Sequence, residues 1–379
     1  MTRTAVLCGF ARTPFHFANR GALRRLRPDD LLAQLLKGLL ERVPVPRERI
    51  EDVIVGCAFP EAEQGLNLAR LAVFLADLPI EVAGVTVNRF CGSSMQAVHQ
   101  AAAAIAAGWG ELFLCAGVES MTRVPIPGFN PMPNPGLMAR FPEAYVSMGE
   151  TAENVAARCG IGRERQERFA LASHQKAARA RAEGRFAAEI VPVTTPEGVV
   201  AEDGCIRPDT SLEALAALEP AFREGGTVTA GTSSPLTDGA AAVVVAEEAF
   251  ARAAGLPVMA RIRAAAVVGC APATMGLGPV AATRRLLQRT GLTLAEIDLV
   301  ELNEAFAAQV LACIDELGIP EERLNRDGGA IALGHPLGAS GARILGKAAQ
   351  LLGREGGRFA LAVMCIGGGQ GIATLLEAA

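Results

Sequence analysis

Apolar positions in this chain fall into short buried runs that alternate with longer amphipathic stretches, the pattern of strands joined by helices. Residues 4–9 read as a buried strand, 29–42 as an amphipathic helix and 50–56 as a second strand. Residues 82–87 form a strand leading to Cys91, 93–107 an alanine-rich helix and 112–116 a further strand. This order predicts an α/β fold with parallel connections.

The second half repeats the order. Residues 279–289 predict a helix, and 295–302 (Ala-Glu-Ile-Asp-Leu-Val-Glu-Leu) echo 49–55 (Arg-Ile-Glu-Asp-Val-Ile-Val). Residues 341–352 predict a helix and 359–364 a strand ending at Cys365, the counterpart of 112–115. A duplicated α/β unit implies two similar domains facing each other, with a site between them at strand ends. Between the halves the composition changes. Residues 121–147 hold six prolines and no period, 150–183 are charged and helical, and 192–231 are again loop-like. Long excursions in compact proteins are usually functional or mobile. The expected division is a first domain over 1–118 continued by 236–257, an inserted loop domain over 119–235, and a second domain over 258–379.

Composition narrows the function. Half of the 379 residues are apolar, enough to fill two or three domain cores. A net charge of −4 argues against nucleic acid as a partner, because phosphates are neutralised by clustered Lys and Arg. Nine scattered cysteines with no Cys-x-x-Cys pair fit reduced thiols and a cytoplasmic location. The first residues lack the apolar core of a signal peptide. The most apolar stretch, 101–117, is broken by Gly108, Gly110 and Glu111, so no membrane span is expected. No Cys/His pair has metal-ligand spacing, so no metal is expected.

Four segments carry candidate chemistry. In Asn88-Arg89-Phe90-Cys91-Gly92-Ser93-Ser94-Met95 a thiol stands at a helix start, where the dipole should lower its pKa and backbone N–H groups could hold an oxyanion. The plainer reading is an ordinary buried cysteine. The run from Gly328 to Gly341 is the densest glycine cluster and contains His335, which could orient or deprotonate a thiol; a tight loop with an incidental histidine is the alternative. Within Gly341–Lys347 a Gly-x4-Gly-Lys match lacks the following Ser or Thr and falls inside a helical pattern, so it is not a phosphate loop. Cys365-Ile366-Gly367-Gly368-Gly369-Gln370-Gly371 follows a buried strand, and an idle cysteine in a turn would look the same. Asn303 and Glu304 could hold a water or substrate oxygen, or cap the next helix. His16, His99 and His174 read as structural or exposed.

Together these segments resemble the thiolase family over nearly the whole chain. Four motifs occur in order: Asn88 to Met95, Asn303 to Ala307 (Asn-Glu-Ala-Phe-Ala), Gly328 to Gly341 around Gly-His-Pro, and Cys365 to Gly371. The resemblance implies two α/β domains stacked as α/β/α/β/α layers, with a loop domain that receives coenzyme A. It implies Cys91 as the nucleophile, His335 as its activator, and Asn303 holding a water beside His335 in one oxyanion hole. Cys365 would be the acid and base, and the N–H groups of Cys91 and Gly367 a second oxyanion hole. Arg207 and Ser234 match coenzyme A contacts, and Met148 and Phe306 the pantetheine channel. Thr232, Pro235 and Asp327 depart from the family pattern.

The implied activity is cleavage of 3-oxoacyl-CoA by coenzyme A, a co-substrate rather than a resident cofactor, in a homodimer or homotetramer associated with other β-oxidation enzymes. Acetoacetyl-specific members carry a histidine where Ser147 stands, so longer acyl chains are expected here. An acetoacetyl enzyme running in the condensing direction, a ketoacyl synthase, a non-catalytic acyl-CoA carrier and a thiol redox protein are the competing expectations.

Overall fold

The computed structural model of the protein describes residues 3–379. Nine longer strands form the main path of a ten-stranded sheet: β1 (Ala5–Arg12), β2 (Asp52–Gly56), β3 (Ala83–Val87), β4 (Leu112–Ser120), β5 (Thr237–Glu247), β6 (Ala260–Gly269), β7 (Leu299–Leu302), β8 (Phe359–Ile366) and β9 (Gln370–Ala378). The longer helices are α1 (Pro28–Arg42), α2 (Leu68–Leu75), α3 (Ser93–Ala107), α4 (Met148–Cys159), α5 (Arg163–Ala182), α6 (Gly278–Thr290), α7 (Ala307–Leu317) and α8 (Ser340–Glu355). In α1, Pro28 opens the first turn, Asp29 and Asp30 face the positive end of the dipole and Arg42 the negative end.

The spatial order is β7-β8-β9-β6-β1-β5-β4-β2-β3, with His16–Phe17 pairing beside β5. Read from each outer edge inward, the halves match. Strand β2 corresponds to β7, β4 to β8, β5 to β9 and β1 to β6. The place of β3 in the second half is taken by a single parallel bridge, Val300 to Leu324. Within each half the outer pairs are parallel and the inner pairs antiparallel. The sheet is therefore mixed, which corrects the expectation of parallel connections. Between β8 and β9 only three residues intervene, too few for a crossover, so the chain must turn back antiparallel. The halves meet where β1 pairs β6 at Val6–Arg261 and Leu7–Ala260.

Side-chain alternation sorts the strands into layers. Val6, Leu112, Leu114, Val244 and Ala246 face α1 and α2 in one core, whereas Leu7, Phe113, Cys115, Val243 and Val245 face α3 and α8 in a second. Ala360, Ala362 and Met364 of β8 enter that second core from the other half, while Leu361, Val363 and Cys365 face α6 and α7 in a third. Helices α3 and α8 are thus the middle layer of a five-layer α/β/α/β/α stack. Gly341 is required there: a Cβ at this position would lie 2.4 Å from the backbone nitrogen of Met95.

The excursion leaves after Ser120 and returns at Thr237, and its flanks pair directly as Ser120–Asp238. Residues 150–183, read as one charged helical stretch, are two helices separated at Gly160 by a left-handed turn with φ of 66°. Buried ions tie the excursion to both halves. Arg12 of β1 donates to Glu189 at 2.7 Å and forks onto both oxygens of Asp203. Lys347 of α8 contacts Glu189 and Asp327, and Asp327 also receives Arg354 and Arg185. The departure at Asp327 thereby gains a purpose: its second charged oxygen lets one residue hold three cations.

Candidate active site

Cys91 occupies the loop between β3 and α3, and that loop is tightly braced. Asn88 accepts from the Phe90 N–H at 2.8 Å and donates to the Ala58 carbonyl at 2.9 Å. Ser93 donates to the Phe90 carbonyl at 2.6 Å and accepts from the Arg89 N–H at 2.9 Å. Phe90 itself adopts φ of 43°, a backbone region costly for a bulky residue and frequent at functional turns. The result is a half-buried Cys91 just ahead of the α3 N-terminus.

The backbone N–H groups of Gly367 and of Cys91 itself stand near the Cys91 sulfur and favour its thiolate. They come from opposite repeats. The expected low pKa is corrected: burial pushes the Cys91 thiol up to about 11, and these two donors offset burial only in part. Cys365, at the end of β8, is buried and its thiol is held well above the usual range, first by burial and next by the nearby Cys91 sulfur. Iodoacetamide alkylation of Cys91 should therefore keep accelerating from pH 7 to pH 10 as thiolate accumulates. A plateau already reached near pH 8 in a rate–pH profile would contradict this.

His335 lies in the glycine-rich loop before α8. Its Nδ1 is 2.5 Å from the Ser340 hydroxyl, and Ser340 spends its own proton on the Pro336 carbonyl at 3.0 Å. Nδ1 must then carry the ring proton, which leaves a lone pair on Nε2. Nε2 stands 3.3 Å from the Asn303 amide nitrogen. Burial, reinforced by the Arg343 guanidinium, lowers the His335 pKa to about 3, so the ring is neutral at physiological pH. The Asn303 carbonyl oxygen is buried and has no hydrogen-bond partner, which suits it to hold a water or a substrate oxygen.

Neither Asn303 nor Glu304 caps a helix. Helix α7 starts after Phe306 without any side-chain cap. Glu304 instead accepts from Ser173, Asn325 and the Ile331 N–H, fastening the glycine loop to α5. Sequence reasoning missed two other braces. Ser340 fixes the His335 tautomer, and its only signal was a hydroxyl five residues along the loop. Glu119 is buried and accepts from the N–H groups of Ala58, Phe59 and Gly338, joining the loops of both repeats.

The residues assigned to coenzyme A each have defined neighbours. Met148 lies over Gly367, its sulfur 3.3 Å from where a Cβ would stand. Phe306 packs edge-on against Phe222 at 5.8 Å, and the Ser234 N–H donates to the Ala305 carbonyl at 3.0 Å. Arg207 is exposed and stacks over Phe17, beside a small cavity also lined by His174, Ser233 and Pro235. His16, His99 and His174 are all hydrogen-bonded within the fold. Thr232 is taken up in a capping box with Thr229, and the Pro235 carbonyl accepts from Thr237.

Comparison with known proteins agrees with this geometry. Residues 5–249 match the family described as Thiolase, N-terminal domain, and 256–378 match Thiolase, C-terminal domain. A 3-ketoacyl-CoA thiolase of Shewanella loihica is 50% identical over 387 residues, covering 100% of both chains. One from Shewanella denitrificans is 50% identical over 385 residues, covering 99% of each. The crystal structure of human mitochondrial 3-ketoacyl-CoA thiolase superposes with a TM-score of 0.91 at 36% identity, over 100% of both chains. With both domain families matched and half its residues shared with full-length relatives, the chain belongs to the thiolase family.

Proposed function

We propose that this protein is an acetyl-CoA C-acyltransferase that cleaves 3-oxoacyl-CoA with coenzyme A as co-substrate. The observation that carries the reading is the convergence on Cys91 of two amide donors and a second thiol, with a neutral histidine braced in the adjoining glycine loop. In the reading, His335 Nε2 takes the Cys91 proton, and the sulfur attacks the 3-keto carbon. The oxyanion rests on the N–H groups of Cys91 and Gly367. When the bond between C2 and C3 breaks, the enolate oxygen of the departing acetyl-CoA is held by His335, now protonated, and by a water on Asn303. Cys365 protonates that enolate carbon, then removes the proton of the incoming coenzyme A thiol, which attacks the acyl-enzyme; the bond to Cys91 breaks, the shortened acyl-CoA leaves, and the Cys91 sulfur takes its proton back from His335. Arg207, Ser234, Met148 and Phe306 line the approach of the coenzyme A arm. Incubation with acetoacetyl-CoA and coenzyme A tests the reading; failure to form acetyl-CoA would sink it.

Substrate length follows from Ser147. This residue is exposed and caps α4 by accepting from the Glu150 N–H, and it presents no large side chain toward an acyl group. Each further methylene buried adds about 0.8 kcal/mol. The expected profile of kcat/KM over short, medium and long 3-oxoacyl-CoA rises beyond acetoacetyl-CoA. A clear maximum at acetoacetyl-CoA would count against it.

A homo-oligomer, dimeric or tetrameric, is proposed from the β3 edge. Strand β3 has no outer partner, and Leu66, Phe74, Ile80 and Val85 are exposed around it. An open apolar edge invites pairing with a second copy. Light scattering of the purified chain should return at least twice the monomer mass; a monomer would refute the proposal. The cytoplasm, where both site cysteines stay reduced, is the proposed setting.

A further inference from the structure

The donor pair at Cys91 poses a positioning problem. One N–H belongs to the nucleophile loop of the first repeat and the other to the turn after β8 in the second. An oxyanion donor acts only within about 2.7–3.1 Å of the developing charge, so the two loops must keep register to a fraction of an ångström. The turn itself carries no side chain that could anchor it: Gly368 and Gly369 follow Gly367, both with positive φ, of 75° and 82°.

A seam between α3 and β9 supplies the register. Gln370, Ile372 and Thr374 alternate along β9 and so share one face. Gly92, Gln96 and His99 follow helical spacing and share one face of α3. Gly92 meets Ile366 and Ile372 so closely that a Cβ there would lie 2.7 Å from Ile366 Cδ1. His99 Nε2 and the Thr374 hydroxyl are 2.8 Å apart at the far end of the seam. At the near end Arg89, two residues before Cys91, donates from Nη1 to Gln370 Oε1 at 2.7 Å and from Nε to Gln96 Oε1 at 2.8 Å. Gln370 is three residues beyond Gly367.

The geometry points to Arg89 and Gln370 as positioning residues: their hydrogen bond clamps the glycine turn to the nucleophile loop, so that both N–H donors aim at one oxyanion. The inference rests on the reading of Cys91 as nucleophile. A guanidinium suits the task because its planar fork fixes two directions at once, onto Gln96 and Gln370, which a lysine cannot do. Neither residue touches the reacting atoms.

Arg89→Met, Gln370→Met, the double variant and Arg89→Lys test the clamp, with folding followed by thermal denaturation. Two rates are compared, each corrected for the thiolate fraction read from that variant's own pH profile: acetylation of Cys91 by acetyl-CoA, which passes through an oxyanion, and its alkylation by iodoacetamide, which does not. Each Met variant should lose about tenfold in acetylation and kcat, in line with the cost of sub-ångström misplacement, while KM and alkylation change by less than about threefold. The double variant should lose no more than the worse single one, because both remove the same bond. Arg89→Lys should recover part of the loss. Acetylation and alkylation falling together would overturn the clamp in favour of general loop packing, as would unchanged acetylation in Gln370→Met, the less intrusive change. A wild-type adduct found away from Cys91 would overturn the nucleophile assignment itself, and the clamp with it.

Discussion

Cys91→Ala should give a folded protein that forms no acyl-enzyme, with turnover reduced by about 10⁴-fold or more, the scale seen when a covalent nucleophile is removed. No other thiol has amide donors from both repeats beside it, the part-exposed Cys159 and Cys270 included. Cys8, Cys57, Cys115, Cys205 and Cys313 are buried in the layers, and burial raises each of their pKa values. Cys365 is beside the site, yet the amide donors face the Cys91 sulfur instead. The companion Cys365→Ser keeps Cys91 and its donors, so acetylation by a reactive thioester should persist while turnover collapses for want of the acid and base. Mass spectrometry after mixing with acetyl-CoA separates the cases. The wild type and Cys365→Ser should carry an acetyl group on Cys91 and Cys91→Ala none. An adduct on Cys365 would reverse the two roles.

Much of this was legible in the sequence because it depends on local pattern. Helix α3 starts and stops where the alanine run does, at Ser93 and Ala107, since Gly92 and Gly108 bound it. The repeat was visible in short motifs because each half buries strands of similar length at corresponding places. What the sequence concealed is set by pairs far apart in the chain. The antiparallel return of β5 depends on where a long excursion re-enters, at Thr237, which periodicity cannot reveal. The pKa of Cys91 failed for a like reason. A helix start was visible, but the desolvation that outweighs its field comes from the packing of both repeats. Ser340, Glu119 and the Arg89–Gln370 contact were equally invisible, because a serine, a glutamate and an arginine have no signature until their partners are placed.

His335→Ala should lower kcat by about 10²-fold or more, with KM changing far less. The buried ring is held on both nitrogens, by Ser340 through Nδ1 and beside Asn303 through Nε2. In the proposed mechanism Nε2 takes the thiol proton and, once protonated, donates to the enolate oxygen. In that mechanism one side chain serves two successive transition states, so its loss should bear on chemistry rather than on binding. The pH dependence has a definite sign. A histidine whose pKa is lowered to about 3 stays neutral from pH 5 upward, so kcat/KM should show no acid limb near the ordinary histidine value of about 6.5. Stopped assays of the wild type and His335→Ala between pH 5.5 and pH 9 check both statements. A variant with normal kcat and raised KM would make His335 a binding residue. A wild-type limb near pH 6.5 would mean that the ring is better solvated, and the Cys91 proton differently shared, than this packing implies.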